Sequence, residues 1–273
     1  MDLSIIILNY KIKGLVKQCI RNAKVSTAGL DYEIIVVDNN SGDGVEQMLR
    51  ENFPEVKFIQ SGANLGFAAG NNLGIKEAVG KYVLVLNPDV TVLNSSIEKM
   101  FKFMEENQQV GIVGPKLINP DGSYQISCRT FQTPKLILYR RTPLGKLPFA
   151  QKQLKAHLMT DFDHLGNKEV DWFLGACMLL RKEAIDKVGL FDERFFMYLE
   201  DMDLCRRMWQ QDYKVFYLAE VEVVHLYERA SANDSWNFLR LNKLTRIHIA
   251  SGFKYFAKYL GVKNNGRAKT KTE

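Results

Sequence analysis

Leu3-Ser4-Ile5-Ile6-Ile7-Leu8-Asn9-Tyr10 opens the chain with a short apolar run, from Leu3 to Leu8, that stops at two polar residues. The same form returns at Glu33 to Val37, followed by Asp38-Asn39-Asn40-Ser41, at Val56 to Ile59, and at Tyr82 to Leu86, followed by Asn87-Pro88-Asp89. Between these runs the apolar residues fall at helical spacing, near 14 to 25, 44 to 52, 67 to 79 and 95 to 106. Short strands alternating with helices predict βαβ units and a largely parallel sheet, an α/β fold of Rossmann-like type. In such a sheet ligands sit beyond the carboxyl ends of the strands, so the residues that follow each run are the ones to read for chemistry.

Past residue 110 the alternation loosens. Gly111 to Ile118 reads as a strand, Asn119-Pro120-Asp121-Gly122 as a turn, and 129 to 169 as an irregular stretch rich in Lys, Arg and Pro. A stretch of that length inside a compact domain is usually mobile or functional. A strand from Cys177 to Leu180, a helix from Arg181 to Lys187, an aromatic loop Phe195-Phe196-Met197-Tyr198, a helix from Glu200, a strand Val221 to Val224 closed by His225, and a final helix near 235 complete the reading. The expected division is one domain over 1–234, in two halves that meet at about 110, then a C-terminal helix and basic tail over 235–273.

Composition sets the frame. The 273 residues are 46% hydrophobic and 25% charged, the balance of a folded globular protein. No apolar run reaches the roughly 18 residues a membrane span needs, and Met1-Asp2-Leu3-Ser4 lacks the features of a signal peptide, so a cytoplasmic location is expected. Cys19, Cys128, Cys177 and Cys205 form no Cys-x-x-Cys pair and are read as reduced thiols. The net charge of +6 is concentrated after residue 240.

Asp38, at a strand end, is placed to accept from the ring N–H of a uracil or thymine, with Tyr10 one strand over to stack on the base; Asp38 with Asn39 and Ser41 would equally well cap the next helix. The run Asn64-Leu65-Gly66-Phe67-Ala68-Ala69-Gly70-Asn71-Asn72 joins small residues and asparagines at a strand-to-helix turn, which permits close backbone approach to a polar ligand. No Gly-x-Gly-x-x-Gly follows the first strand, which argues against a dehydrogenase. Asp89 can reach a hard cation such as Mg²⁺ or Mn²⁺, although Asn-Pro-Asp also suits a type I turn. Glu200, Asp201 and Asp203 crowd a helix start, where acids are favoured by the dipole and where a general base for a sugar hydroxyl could also stand. His225 closes a strand and is a candidate for the metal or the diphosphate.

Taken together, Ile5 to Tyr10, Val36 to Ser41, Asn64 to Asn72, Leu86 to Asp89, Gly175 to Leu179 and Tyr198 to Cys205 resemble the family 2 glycosyltransferases of GT-A fold, in particular their rhamnosyltransferase-like branch. The resemblance runs from residue 3 to about 227. It implies that Leu8, Asn9, Tyr10, Asp38, Asn40, Asn64, Gly66, Asn71, Asn87 and Asp89 bind the nucleotide sugar, that Asp89 and His225 hold a metal, Mg²⁺ or Mn²⁺, and that Asp201 is the catalytic base with Glu200 beside it. Trp172, Gly175 and Tyr198 would face the sugar or acceptor, Trp172 first among the aromatics. Asn87 stands where the family's metal motif often begins with Asp, and a neutral amide is the poorer ligand.

The implied reaction is an inverting transfer, of L-rhamnose from dTDP-rhamnose or of a hexose from a UDP donor, to a cell-surface polysaccharide or lipid-linked glycan. A sugar nucleotidyltransferase would want a Gly-rich loop with a basic residue near the first strand, and a non-catalytic nucleotide-sugar-binding protein would not need the acids. In the final helix Phe238, Ile249, Phe253, Phe256 and Leu260 fall on one side, opposite Arg240, Lys243, Lys254 and Lys258. That pattern fits either packing on the domain with the basic face in solvent or attachment to an anionic membrane surface. Nucleic acid is not expected as a partner, because no recognition motif accompanies the charge.

Overall fold

The computed structural model describes residues 1–27, 29–93, 95–226 and 243–262. In chain order the elements are β1 (Leu3–Asn9), α1 (Lys13–Ser26), β2 (Tyr32–Asp38), α2 (Val45–Asn52), β3 (Lys57–Gln60), α3 (Gly66–Lys76), β4 (Tyr82–Leu86), β5 (Val90–Val92), α4 (Ser96–Glu106) and β6 (Val110–Ile118). There follow β7 (Cys128–Arg129), α5 (Pro134–Arg141), a 3₁₀ turn (Pro143–Lys146), α6 (Pro148–His157), β8 (Lys168–Glu169), β9 (Trp172–Phe173), β10 (Cys177–Arg181), α7 (Lys182–Val188), α8 (Glu200–Gln210), β11 (Lys214–His225) and α9 (Lys243–Lys258).

The main sheet runs β3-β2-β1-β4-β10-β6-β11-β5, with β8 also paired to β11. β1 pairs in parallel with β2 and β4, β2 with β3, and β6 with β11, whereas β10 enters antiparallel between β4 and β6. A parallel strand buried on both faces needs apolar residues at every position, which is why β1 and β4 read as unbroken runs. The alternation of side chains sorts them into two layers. Ile5, Ile7, Val36 and Leu84 pack with Val16 and Ile20 of α1 and Met100 of α4, while Ile6, Ile35, Val37 and Val83 pack with Ile75 of α3, Ile185 of α7 and Met202 of α8. One sheet spans both halves of the chain, and β10 ties the first half to the second.

Two stretches differ from the sequence reading. The segment read as irregular holds two helices, each opened by proline at its first position, where the missing N–H is one no helix would use. α5 is further capped by Thr133, whose Oγ1 accepts from the Leu136 N–H at 3.4 Å. β11 begins at Lys214 rather than Val221.

The C-terminal helix corrects a second expectation. Its start near 235, with Phe238 and Arg240, lies outside the described residues; α9 itself packs through Thr245, Ser251 and Tyr255. Ile249, Phe253 and Leu260 point outward, the last two 75% and 85% exposed, and Lys258 points inward to Asp192 and Asp203. Hydrophobic periodicity locates a stripe but does not decide which side meets the domain; here Tyr255 and the buried acid Asp203 settle the rotation.

Candidate active site

The end of β1 meets the end of β2 in register, Asn9 opposite Asp38. Asn9 Nδ2 donates to Asp38 Oδ1 at 2.9 Å and to Ser41 Oγ at 3.0 Å, and the Ser41 N–H donates to Asp38 Oδ2 at 3.1 Å. Asp38 is thus a buried turn-closing carboxylate, as its capping composition suggested, with acceptor capacity left on its two oxygens. Tyr10 is exposed beside it, and Asn40, also exposed, adopts φ 59°.

The small residues from Asn64 onward serve close approach, but to protein. Gly66 has φ 83°, and a Cβ there would fall 2.1 Å from Phe196 O. The adjacent Phe67 N–H donates to that same carbonyl at 2.7 Å. Asn39 donates to Gly66 O and accepts from the Leu65 N–H, Asn64 Oδ1 accepts from the Gly66 N–H, and Asn71 donates to Phe67 O. Leu8 packs on Gly70, where a Cβ would lie 2.7 Å from Leu8 Cδ1. This segment therefore joins the end of β2 to the loop that precedes α8.

After β4, the Asn87 N–H donates to Ala176 O at 2.9 Å. Asp89 Oδ2 lies 3.5 Å from His225 Nε2, while Asp89 Oδ1 is buried with no hydrogen-bond partner among the described residues. The strand pairing that sets His225 opposite Val90 brings the two together. Gln125 fixes the imidazole: its Nε2 donates to Asn119 Oδ1 and to His225 O, so its Oε1 is the atom 3.0 Å from His225 Nδ1. Nδ1 therefore donates, and Nε2 is the ring atom that faces the carboxylate.

Asp201 stands one residue into α8. Its Oδ2 accepts from the Gly175 N–H at 3.0 Å and its Oδ1 from the Met202 N–H at 2.8 Å. Gly175 lies so close that a Cβ there would be 3.1 Å from Asp201 Cβ. Burial pushes the Asp201 carboxyl above its ordinary value, opposed by those two N–H groups and by the charge of Arg129. Burial, followed by the neighbouring Asp201 charge, pushes Glu200 well above the carboxylate range, and Glu200 Oε2 has no hydrogen-bond partner among the described residues. Two consecutive left-handed residues, Tyr198 and Leu199, both at φ 72°, turn the chain into this helix. Strain of that kind collects at functional sites, where the surroundings hold it in place. Asp203 is different: fully buried, it binds Arg207, Lys258 and the Tyr259 hydroxyl, and it is structural.

Direct contacts join the strand ends in two groups: Asp38 with Asn9 across β2 and β1, and, across β4 and β10, Asn87 with Ala176, whose neighbour Gly175 binds Asp201. Trp172 requires correction. It is 3% exposed, donates Nε1–H to Thr130 O at 2.9 Å and has the Arg129 guanidinium over its ring, so it presents no face to a sugar. Phe173 and Phe195 are likewise core, and Tyr198 stacks on His248 of α9. Sequence reasoning passed over Gln125 and Arg129, which act on His225 and Asp201 from the segment that leads into and forms β7, with no motif of its own.

An α/β sheet of this order, with acids gathered at the ends of its strands and at the start of α8, defines a glycosyltransferase domain of GT-A fold. The chain belongs to glycosyltransferase family 2, matching the family described as Glycosyl transferase family 2 over residues 4–189. It is 30% identical to the N-acetylglucosaminyl-diphospho-decaprenol L-rhamnosyltransferase of Mycobacterium tuberculosis over 239 residues, 80% of this chain and 74% of that one. It is 24% identical to the rhamnosyltransferase WbbL of Escherichia coli K12 over 264 residues, 93% and 92% of the two chains. Among solved structures, the mannosyltransferase PcManGT of Pyrobaculum calidifontis, in complex with GDP-Man and Mn²⁺, superposes with a TM-score of 0.58 at 16% identity, covering 84% of this chain and 57% of that one. S. aureus TarS 1–349 with UDP-GlcNAc gives 0.56 at 15% identity, covering 84% and 60%. Likeness at this level of identity carries the fold.

Proposed function

We propose that the chain is an inverting glycosyltransferase, dependent on Mg²⁺ or Mn²⁺, that moves L-rhamnose from dTDP-rhamnose to a hydroxyl of a lipid-linked or cell-surface glycan. The observation that carries the reading is the buried Asp201, a carboxylate made more basic by its surroundings and held by Gly175, which follows directly on the strand-end contact between Asn87 and Ala176. A general base works best when its proton affinity is raised toward the operating pH. The names of the relatives support rhamnose and a lipid-linked acceptor.

In this mechanism Asp201 takes the proton of the acceptor hydroxyl as that oxygen attacks the anomeric carbon. The bond from that carbon to the diphosphate oxygen breaks on the opposite face, so configuration inverts. Glu200 stays protonated beside Asp201 and leaves it as the anionic partner. Asp38 and Tyr10 face the base. Asp89, through its partnerless Oδ1, and a neutral His225, through Nε2, would hold a divalent cation, and among the described residues no third His, Cys, Asp or Glu joins them. Phosphate oxygens and water would complete such a site, as is ordinary for these ions with nucleotide substrates. When bound, the cation neutralises the charge on the departing nucleoside diphosphate.

The test is a transfer and donor-hydrolysis assay with dTDP-rhamnose and with UDP-hexoses, run with and without chelator, beside Asp201→Asn. Turnover of dTDP-rhamnose that is abolished by chelator and falls roughly 10²- to 10⁴-fold in the variant is expected. Preference for a UDP-hexose would move the donor, and an unchanged rate in chelator would remove the role given to Asp89 and His225.

A further inference from the structure

Residues 134–157 form a helical hairpin, α5, the 3₁₀ turn and α6, inserted between β7 and β9, and the reaction proposed above makes no use of it. It is anchored from within. Leu136, Gly145, Ala150 and His157 are buried, and Gly145 sits where a Cβ would fall 2.1 Å from Tyr139 O. Tyr139 and Phe149 meet edge to face at 5.8 Å, and the Thr130 N–H donates to His157 O at 3.0 Å. Thr130 O in turn accepts from Trp172, the residue under Arg129, so the hairpin is fastened directly to the acceptor side of the site.

Its outer surface has two properties that occur together. Leu138, Leu144, Leu147 and Phe149, all within twelve residues of one another in the sequence, are 41–52% exposed. Lys135, Arg140, Lys146, Lys152 and Lys155 of the same hairpin are all exposed, and the sequence from 122 to 160 contains no Asp or Glu. A solvated face has no use for four large apolar groups, and a site for a polyanion such as nucleic acid would leave them without a partner. A lipid surface satisfies both sets: the apolar side chains enter the acyl boundary while the ammonium groups meet anionic headgroups. Among the described residues no helix is long and apolar enough to cross a membrane, so the contact is interfacial.

We propose that the α5–α6 hairpin docks the enzyme on an anionic bilayer, setting the acceptor side of the active site against the lipid surface. Its biological use rests on the reading of a lipid-linked acceptor, but the contact itself is testable without donor or acceptor. The full chain is sedimented with vesicles of phosphatidylcholine alone and of phosphatidylcholine with phosphatidylglycerol, and donor hydrolysis and circular dichroism are recorded on every variant.

The parent protein binds the anionic vesicles and not the neutral ones. Lys146→Ala with Lys152→Ala lowers partition about 25-fold, roughly fivefold for each basic residue removed. Phe149→Ser lowers it about tenfold. Both variants keep the parent's spectrum and donor hydrolysis, which separates loss of docking from failure of the catalytic assignment. Absence of binding to anionic vesicles, or hairpin variants that bind like the parent, overturns the proposal. So does loss of binding in Phe253→Ser with Leu260→Ser alone, which would move the contact to the outward face of α9, and so does capture of an oligonucleotide in place of vesicles.

Discussion

Replacing Glu200 by Gln should stabilise the protein at alkaline pH and leave its stability unchanged in acid. Glu200 is buried, its Oε2 has no hydrogen-bond partner among the described residues, and Asp201 stands next to it. Burial and that neighbouring charge hold the folded-state proton affinity well above the ordinary value of 4.5. Below 4.5 the carboxyl is protonated in both folded and unfolded chains, and its contribution is fully present. As pH rises, the unfolded chain releases the proton first, so stability falls until the folded carboxyl also ionises and then levels off.

A buried polar atom without a partner costs roughly 1–3 kcal/mol, and more when charged. The neutral amide removes the part that depends on charge. The gain on the alkaline plateau is therefore on the order of 1–2 kcal/mol, a rise of a few degrees in Tm for a chain of this size. Thermal unfolding of parent and variant across about pH 4 to 9 reads it directly, the two curves meeting in acid and separating upward, with the slope due to Asp201 common to both. A variant less stable than the parent at high pH, or one whose pH dependence is the same, would refute the picture of a proton held on Glu200.

Gln125→Leu frees the His225 ring from its enforced tautomer, and Mn²⁺ titration in the presence of a nucleoside diphosphate should show affinity reduced about 10- to 100-fold; unchanged affinity counts against His225 as a ligand. Gly66→Ala drives a Cβ to 2.1 Å from Phe196 O at a φ of 83° and should cost roughly 2–4 kcal/mol in urea unfolding. A near-neutral result would mean that the loop before α8 yields easily. Asp203→Ala leaves Arg207, 2.8 Å away in the parent, and Lys258, 2.6 Å away, without their shared acid. A loss of about 3 kcal/mol is expected, and a loss below about 1 kcal/mol would show the pair to be effectively solvated.

The strands of the first half were legible because a parallel strand covered on both sides admits only apolar residues, so Ile5 to Leu8 and Val83 to Leu86 announce themselves. The polar residues at their ends were legible for the same reason: each follows a run whose direction is known. The α5–α6 hairpin was not, since helices that leave Leu144, Leu147 and Phe149 outside carry no inward stripe to detect. Trp172 was misplaced because an indole beside a strand has the same composition whether it faces ligand or core; only the hydrogen bond to Thr130 decides. Gln125 was invisible, because its role depends on which end of its amide meets His225, and that is settled by Asn119 and a backbone carbonyl far away in the sequence.

The hold of α9 on the segment before and within α8 bears on where this protein can be cut. Lys258 meets Asp192 and Asp203, Lys254 donates to Arg194 O, Ser251 donates to Met197 O, and His248 stacks on Tyr198. The family match stops at residue 189, short of Asp201. A fragment trimmed to that match would lose Asp201, the base proposed above, and one ended before Lys243 would keep Asp201 but lose the brace that holds the two left-handed residues ahead of it. The shortest piece that keeps the α8 entry braced is therefore set by a helix well downstream of the recognisable motifs.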